Sequence, residues 1–387
     1  MISTGSSAPF FKTKASLAVD VPGLRRVPTT TPRLVLRLAA LASLLYGFLV
    51  SLGLMRAAFI HLGEGVAEQL LAATSNPVVG LFIGILATSL VQSSSSVTSM
   101  TVGLVAAGGL DVAHAIPIIM GSNAGTSVTN TIVAAVQVDR PEEFRRAVAA
   151  GTVDDFFELT SLAVLFPLQL TTNVLGTSAA YVSRAVSDFG GLAMIDPLRG
   201  FVEPAVTLVA RLESESGVVM LVTSLVLLFV TLRYFVFTLK GLLVGRLEVF
   251  FNETLFKTAP RAMLLGFACT FVVQSSSVTT SLAVPLAGAG AVTLQRMFPY
   301  VLGANVGTTF TAIMAALVTG EEVALTVAIA HLLFNLLGIL IIWPVRWIPL
   351  SLAAWLGGQT SRSRPMVVAY VLGVFFIVPL ILIAVLR

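Results

Sequence analysis

The chain has 387 residues, of which 56% are hydrophobic and only 11% charged, with a formal net charge of +4. A soluble domain carries roughly 25% charged residues, so this chain has too few charges to cover a water-soluble globule, and lipid is the expected solvent. Four long apolar runs, at 36–55, 217–239, 323–343 and 366–386, approach the ~20 residues that a helix needs to cross hydrocarbon. They do not alternate as barrel strands would, so we predict an all-α integral membrane protein.

The N-terminal segment, residues 1–33, is rich in Ser, Thr and Pro and is predicted to be a disordered tail. It lacks the short apolar core and cleavage site of a signal peptide. Basic residues cluster in the tail and at the start of the first span: Lys12, Lys14, Arg25, Arg26, Arg33 and Arg37. The positive-inside rule then places the N-terminus in the cytoplasm of a multi-pass protein of the cell membrane. The net charge therefore requires no nucleic-acid partner.

The predicted helices form two similar series. The first has a span at 34–55, a segment at 65–90 interrupted at 75–77, a helix ending near 107, a helix at 115–136 and a span at 144–167. The second has helices at 217–239, 261–274, 276–290, 297–318 and 322–347, and a final span follows at 366–386. We therefore predict a first half at 34–167, a more polar linker at 168–216, a second half at 217–347, and a loop with a final transmembrane helix at 348–387.

The two series share an internal repeat. Residues 80–136 align without a gap on residues 262–318, and about 21 of the 57 aligned pairs are identical. Gln92-Ser-Ser-Ser95 falls on Gln274-Ser-Ser-Ser277, and the stretch from Gly121 to Thr129 falls on the stretch from Gly303 to Thr311. One long period used twice is typical of transporters whose substrate site lies at the repeat interface. We expect the halves to be inverted, each with a re-entrant helical hairpin and a broken transmembrane helix.

The two Gln-Ser-Ser-Ser clusters are predicted to be the tips of re-entrant hairpins. In lipid, a backbone break is tolerated only where protein or a water-filled cavity surrounds it. Helix N-termini carry about half a positive charge, and they bind oxyanions through their free amides. Two facing tips therefore suit phosphate or sulfate. The alternative is that the hydroxyls merely bond back to carbonyls of their own helix.

The Gly-x-Asn-x-Gly-Thr stretches predict a cation site. Glycine permits helix unwinding, which frees carbonyl oxygens, and neutral oxygens around an unwound helix suit sodium. The neutral side chains offered are Asn123, Thr126, Thr129, Asn305, Thr308 and Thr311. The alternative is that small residues allow close helix packing, which explains the glycines but not the paired Asn and Thr.

Ionisable residues inside predicted spans are candidates for coupling or gating, because charge is costly in a bilayer. Asp154, Asp155 and Glu158 lie in the helix after the first repeat, and His331 and Asn335 lie in the corresponding helix of the second half. The pairs Asp154/Glu158 and His331/Asn335 have i, i+4 spacing, so each pair shares a helix face. The alternatives are an ion pair of the acids with Arg145 or Arg146, and a packed, hydrogen-bonded histidine.

These motifs, with Phe144-Arg-Arg-Ala and His331-Leu-Leu-Phe-Asn335, resemble type II sodium-dependent phosphate cotransporters over about residues 34–345. The resemblance implies symport of inorganic phosphate with co-transported sodium by alternating access. It implies phosphate contacts from Gln92, Ser93, Ser94, Ser95, Asn123, Gln274, Ser275, Ser276, Ser277 and Asn305. It implies sodium contacts from Gln274, Ser275, Asn305, Thr308 and Thr311, to which the repeat adds Thr126 and Thr129.

The chain departs from the family pattern at three places. The family usually has His-Asp-x-Phe-Asn where this chain reads Asp154-Asp-Phe-Phe-Glu158, which adds acids that could alter charge coupling. Ala304 stands where relatives often have serine, and the linker lacks the cysteine pair of animal members.

Three other functions compete with phosphate symport. A symporter of the same fold could carry sulfate or arsenate, and a passive anion channel would conduct without sodium. An intramembrane hydrolase using Ser277 and His331 would need one nucleophile held by one base, so a duplicated serine cluster adds nothing. No Gly-x-Ser-x-Gly motif is present either. We therefore predict a transporter and not an enzyme.

Overall fold

A computed structural model describes residues 31–62, 71–72, 74–136, 141–188, 196–213, 216–250, 256 and 258–386. Almost all of the tail predicted at 1–33 lies outside these residues. All regular structure within the described ranges is helical, as expected for an all-α membrane protein. The names first half and second half are kept below for the predicted ranges 34–167 and 217–347.

The described helices follow the predicted order. They are α1 (Thr31–Leu62), α2 (Pro77–Val91), α3 (Ser94–Ala106), α4 (Val112–Ala124), a 3-10 turn (Gly125–Ser127), α5 (Val128–Val136), α6 (Pro141–Thr172), α7 (Val174–Asp188), α8 (Asp196–Leu212), α9 (Gly217–Phe250), α10 (Ala259–Val273), α11 (Ser276–Gly288), α12 (Leu294–Thr319), α13 (Glu322–Ile342), α14 (Trp347–Arg362), α15 (Pro365–Leu372), a π-helical turn (Gly373–Ile377) and α16 (Val378–Leu386).

Five of the described helices are long and apolar enough to cross a bilayer. They are Val35–Leu62, Gly217–Phe235, Leu294–Thr319, Glu322–Ile342 and Pro365–Leu386. The pair α6 and α7, bent by 74°, makes a sixth if it counts as one span. Two shorter apolar helices, α2 and α10, each lead into a serine cluster. The chain is therefore a multi-spanning membrane protein, as its composition predicts.

Local sequence explains where α2 begins. The predicted interruption at 75–77 is its N-terminus: Asn76 caps the helix by accepting a hydrogen bond from the Val78 amide at 3.0 Å, and Pro77 occupies the first turn. Asn supplies the oxygen that an N-cap needs, and proline is tolerated where its missing N–H would be unpaired. The break in the apolar run is therefore the capped N-terminus of α2.

Glycines lock α2 against α4 and, in the second half, α10 against α12. A Cβ at Gly121 would lie 1.9 Å from the Leu81 carbonyl oxygen, and one at Gly303 would lie 1.8 Å from the Met263 carbonyl oxygen. Two helix backbones that approach this closely leave no room for a side chain. The glycines of the Gly-x-Asn-x-Gly stretches therefore serve close packing, which was the alternative to helix unwinding.

The predicted broken helix is present in the first half and absent from the second. In the first half, α4 gives way to the 3-10 turn at Gly125–Ser127 before α5 begins. In the second half, α12 runs without interruption from Leu294 to Thr319, so the predicted break there is wrong. Gly303 and Gly307 both lie within α12 and face α10, where a Cβ would clash.

The segment predicted as a linker at 168–216 contains the end of α6 and all of α7 and α8. The bend between α6 and α7 falls at Asn173, which has φ 51°. Helix α7 then packs on α13, where the Ser183 and Thr326 hydroxyls lie 2.7 Å apart. The division into halves and linker stays a prediction.

Candidate substrate and ion site

The two Gln-Ser-Ser-Ser clusters have the same backbone conformation. Gln92 ends α2 with φ 59° and ψ 29°, and Gln274 ends α10 with φ 56° and ψ 28°. The next residues, Ser93 and Ser275, are extended, with φ −155° and −154°. Each serine then begins a new helix. The repeated sequence thus folds into a repeated junction of two helices.

Each glutamine is held in the left-handed region, which costs roughly 1–2 kcal/mol for a residue with a side chain. Its side chain offsets that cost by bonding on both sides. The Gln92 Nε2 donates to the Ser89 carbonyl at 2.5 Å, and its Oε1 accepts from Thr129 at 2.7 Å. Gln274 accepts from Thr311 at 2.6 Å in the same way. Each tip is therefore tied to the following Gly-Asn-Gly segment.

The first serine of each cluster is a helix cap. The Ser93 hydroxyl accepts from the Ser96 amide at 3.2 Å, and the Ser275 hydroxyl accepts from the Val278 amide at 3.4 Å. A capping serine stabilises the start of a helix by satisfying one of its free N–H groups. These two hydroxyls thereby fix the direction of α3 and α11.

The third serine of each cluster reaches the other half. The Ser95 hydroxyl donates to the Gln274 carbonyl at 3.2 Å, and the Ser277 hydroxyl contacts the Thr126 carbonyl at 3.5 Å. Thr280, on α11, donates to the Asn130 Oδ1 at 2.9 Å. The two clusters are therefore adjacent in space, as their predicted joint role requires.

The second serine of each cluster has no such role. Ser94 and Ser276 are buried as residues, and within the described part of the chain neither hydroxyl makes a hydrogen bond. Bonding back to the helix, the alternative for these serines, is instead made by Thr98, which donates to the Ser94 carbonyl at 2.8 Å; the Thr280 hydroxyl lies 2.8 Å from the Ser276 carbonyl and shares its one hydrogen between that oxygen and Asn130.

The asparagines of the two repeats bond crosswise between the halves. Asn123, in the first half, accepts a hydrogen bond from the His331 Nε2 at 2.8 Å. Asn305, in the second half, donates to Asp154 Oδ1 at 2.7 Å and to Glu158 Oε1 at 2.8 Å. The structure thus brings each repeat asparagine to ionisable side chains of the opposite half: Asn123 to His331, and Asn305 to Asp154 and Glu158. Neither amide bonds to a serine cluster among the described residues.

The alternative ion pairs of these acids are not formed within the described structure. Arg145 pairs with Glu142 at 3.0 Å, and the Arg146 Nε donates to the Gly288 carbonyl at 2.9 Å. The alternative for the histidine was a packed, hydrogen-bonded side chain. His331 is indeed buried and hydrogen-bonded, but its partner is Asn123, one of the residues predicted to contact phosphate.

Around these contacts between the halves, four buried polar atoms have no hydrogen-bond partner in the described part of the chain. They are the Asn123 Nδ2, Glu158 Oε2, His331 Nδ1 and Asn335 Oδ1 atoms. Taking a carboxylate out of water costs several kcal/mol unless a counter-charge is present. Two buried carboxyl groups therefore share one amide donor, and any negative charge that they carry needs a positive charge or a proton beside it.

The remaining predicted sodium residues bond locally. The Thr126 hydroxyl donates to the Ser122 carbonyl at 3.2 Å, and the Thr308 hydroxyl donates to the Ala304 carbonyl at 3.1 Å. In the coupling pair of the second half, the Asn335 amide donates to the His331 carbonyl at 3.0 Å.

The substitution at Ala304 has a structural consequence. In the first half, the hydroxyls of Thr88 and Ser122 lie 2.8 Å apart. The equivalent pair in the second half is Thr270 and Ala304, and the buried Thr270 hydroxyl is left without a partner among the described residues. The two halves therefore differ in polarity beside otherwise equal tips.

The structure connects three further residues to the site: Asn130 and Tyr370, to which the sequence assigned no role, and Asp155, which the sequence indicated only as an acid within a span. Asn130 bonds the second half through Thr280, and the fully buried Asp155 accepts from Tyr370 at 2.9 Å. Asn130 could have been found as a second asparagine beside the repeated motif. Tyr370 carried no signal, since a tyrosine in a membrane helix is common.

A helical membrane fold with two similar helix junctions that contact each other is typical of a membrane transporter. The chain belongs to the Na+/Pi-cotransporter family, whose sequence model matches residues 48–194 and 225–347. This membership confirms the resemblance stated above and the prediction that the chain is a transporter and not an enzyme.

Curated relatives align over most of the chain. Sodium-dependent phosphate transport protein 2A of Ovis aries is 35% identical over 438 aligned residues, covering 92% of this chain and 68% of the relative. The 2A protein of Rattus norvegicus is 35% identical, covering 89% and 67%. The 2B protein of Homo sapiens is 32% identical, covering 89% and 64%. No solved structure was found to match the chain.

Proposed function

We propose that this protein is a sodium-coupled symporter of inorganic phosphate that works by alternating access. The observation that carries the proposal is the pair of equal helix junctions at Gln92–Ser93 and Gln274–Ser275, joined by the bond from Ser95 to Gln274. The names of the relatives supply the substrate and the driving ion. In the proposal, the two helix junctions, one from each half, together provide the sites for phosphate and sodium.

Phosphate binds between the two tips in this proposal. The first N–H groups of α3 and α11 have no intrahelical acceptor, and helix N-termini attract anions. The unbonded hydroxyls of Ser94 and Ser276 add one donor from each half. The full set is Gln92, Ser93, Ser94, Ser95, Asn123, Gln274, Ser275, Ser276, Ser277 and Asn305, in which the asparagines lie behind the tips.

Sodium binds to neutral oxygens on the far side of each glutamine. In the second half, the Gln274 Oε1 and the Thr311 Oγ1, 2.6 Å apart, provide two such oxygens, and Ser275, Asn305 and Thr308 complete the proposed set. Thr126 and Thr129 take the equivalent places in the first half. Because Gln274 belongs to both sets, sodium organises the tip that phosphate contacts.

Coupling is assigned to the crosswise contacts. Asp154 and Glu158 attract the cation through Asn305, and His331 and Asn335 form the neutral counterpart around Asn123. Alternating access requires these bonds between halves to open and close as the halves move against each other. We further propose that the halves are inverted repeats, that each tip is re-entrant, and that the N-terminus lies in the cytoplasm of a cell-membrane protein.

The test is uptake of labelled phosphate into proteoliposomes under an inward sodium gradient, compared with an equal potassium gradient. Gln274→Ala removes the shared ligand, and Gln295→Ala, at an exposed position, is the matched control. The proposal expects sodium-dependent accumulation that is lost in Gln274→Ala and kept in Gln295→Ala. Equal entry with potassium would indicate a passive channel, and sodium-driven entry of sulfate or arsenate alone would change the substrate.

A further inference from the structure

Helix α5 is a junction of three parts of the molecule. Three consecutive side chains on it bond in three directions. Thr129 donates to Gln92 at the first tip at 2.7 Å, and Asn130 accepts from Thr280 on α11 at 2.9 Å. Thr131 donates a longer bond, of 3.5 Å, to the Asp155 Oδ2 on α6. The rotation of α5 therefore decides how Thr129 meets the tip.

The final helix reaches this junction through Tyr370. Its hydroxyl donates to the same Asp155 Oδ2 at 2.9 Å. The Tyr370 ring is held by two aromatic neighbours, Phe156 on α6 and Phe375 in the π-helical turn, each with its ring centroid 5.9 Å away. The hydroxyl is thus aimed by packing on both sides, as a positioning group must be.

The final helix is also fixed at a second point. The side-chain amide of Asn76, the cap of α2, donates to the Leu386 carbonyl at 3.2 Å. The π-helical turn at Gly373–Ile377 packs against α2 between these two contacts. Such turns are frequent at functional sites. The final helix, Pro365–Leu386, contacts both α2 and Asp155, and it lies outside the ranges matched by the family's sequence model.

We infer that Tyr370 is a positioning residue: by holding Asp155 and, through it, Thr131, it sets the rotation of α5 and so presents Thr129 to Gln92 at the first tip. The inference rests on the proposed function for its transport readout. It predicts that losing the Tyr370 hydroxyl loosens the tip without removing any group that contacts substrate.

The experiment compares Tyr370→Phe with Tyr46→Phe, which removes the hydroxyl bonded to the Phe201 carbonyl between α1 and α8. In proteoliposomes, Tyr370→Phe is expected to raise the half-maximal sodium concentration and the phosphate KM about three- to tenfold, which corresponds to ~0.7–1.4 kcal/mol. The maximal rate at saturating sodium and phosphate should stay within about twofold of wild type. Unchanged constants, or an equal change in Tyr46→Phe, would overturn the inference.

Two further measurements distinguish a failure of the inference about Tyr370 from a failure of the proposed function. Thr131→Val should produce a similar shift, and the double variant should add little to either single change, because both act on one path; full additivity would overturn the path. Hydrogen exchange of 128–136 needs no transport: faster exchange in Tyr370→Phe alone supports the inference, and unchanged exchange contradicts it. Wild-type protein without sodium-driven phosphate uptake would refute the proposed function, and hydrogen exchange would still decide the role of Tyr370.

Discussion

The Nδ2 atom of Asn305 lies 2.8 Å from Oε1 of Glu158, which joins α12 to α6 across the two predicted halves. The matching contact, from His331 to Asn123, joins α13 to α4 in the opposite sense. One crossing is acidic and the other is neutral. The two contacts between the predicted halves are therefore chemically different, and in the proposed function the acidic one lies on the side that sodium prefers.

Replacing Glu158 by glutamine should weaken sodium activation, because it removes a carboxyl group whose ionised form would attract the proposed cation. Two unit charges 4 Å apart interact by about 4 kcal/mol at an effective dielectric constant of 20, so even a part of this attraction is measurable. Glu158→Gln keeps the acceptor for Asn305 and is expected to raise the half-maximal sodium concentration by about tenfold, or ~1.4 kcal/mol. The measurement is sodium-dependent phosphate uptake in proteoliposomes.

Glu142→Gln is the control for this change, since Glu142 is exposed and pairs with Arg145. It should leave the sodium dependence unchanged. The same rise in both variants would show a general charge effect instead of a local one, and no rise in Glu158→Gln would remove this acid from cation coupling.

The hydrogen bond between His331 and Asn123 should contribute to the free energy of unfolding. Asn123→Leu leaves the buried His331 Nε2 without its acceptor, which costs about 1–3 kcal/mol. We expect a lower unfolding midpoint in detergent, measured by differential scanning fluorimetry. Because both residues share one contact, His331→Leu combined with Asn123→Leu should destabilise less than the sum of the single changes. Strict additivity would argue against the contact.

Close packing of α10 on α12 should not tolerate a single methyl group. Gly303→Ala would place a Cβ 1.8 Å from the Met263 carbonyl oxygen, so the helices must separate. We expect little monodisperse protein by size-exclusion chromatography. Gly358→Ala, on α14, meets no atom within 4 Å and should be neutral or slightly stabilising, because alanine favours a helix by roughly 0.5–1 kcal/mol. Normal yield of Gly303→Ala would contradict the packing.

Ala304→Ser should stabilise the second half. A hydroxyl there can bond the buried Thr270 Oγ1, as Ser122 bonds Thr88 at 2.8 Å. A typical gain is about 1 kcal/mol, or roughly 2–4 °C in the unfolding midpoint. Ser122→Ala should cause a loss of similar size in the first half. A lower midpoint for Ala304→Ser would show that the added hydroxyl does not fit.

The two helix junctions at the Gln-Ser-Ser-Ser clusters were predictable because their signals are local. An apolar run that ends in Gln and resumes after a serine contains both a helix end and an N-cap, and the repeat shows that the same signal occurs twice. The start of α2 was readable from Asn76 and Pro77 for the same reason. Local capping chemistry is written in a few adjacent residues.

The crosswise contacts could not be predicted, because their partners are distant in sequence. Asn305 is 151 residues from Asp154, and Asn123 is 208 residues from His331. The residue types indicated that Asp154 and His331 are special, but only the packing of the halves shows which asparagine each one meets. The break expected in α12 failed for a related reason: a glycine that permits close packing and one that permits unwinding look alike in sequence.

The central claim is that both tips form one phosphate site that sodium organises. The most direct test is isothermal titration of purified protein with phosphate, in sodium and in potassium, for wild type, Ser94→Ala and Ser276→Ala. We predict one phosphate per chain in sodium, little binding in potassium, and weaker binding of about threefold or more in each variant. Two phosphates per chain, or affinity that only one of the two serines affects, would contradict a shared site.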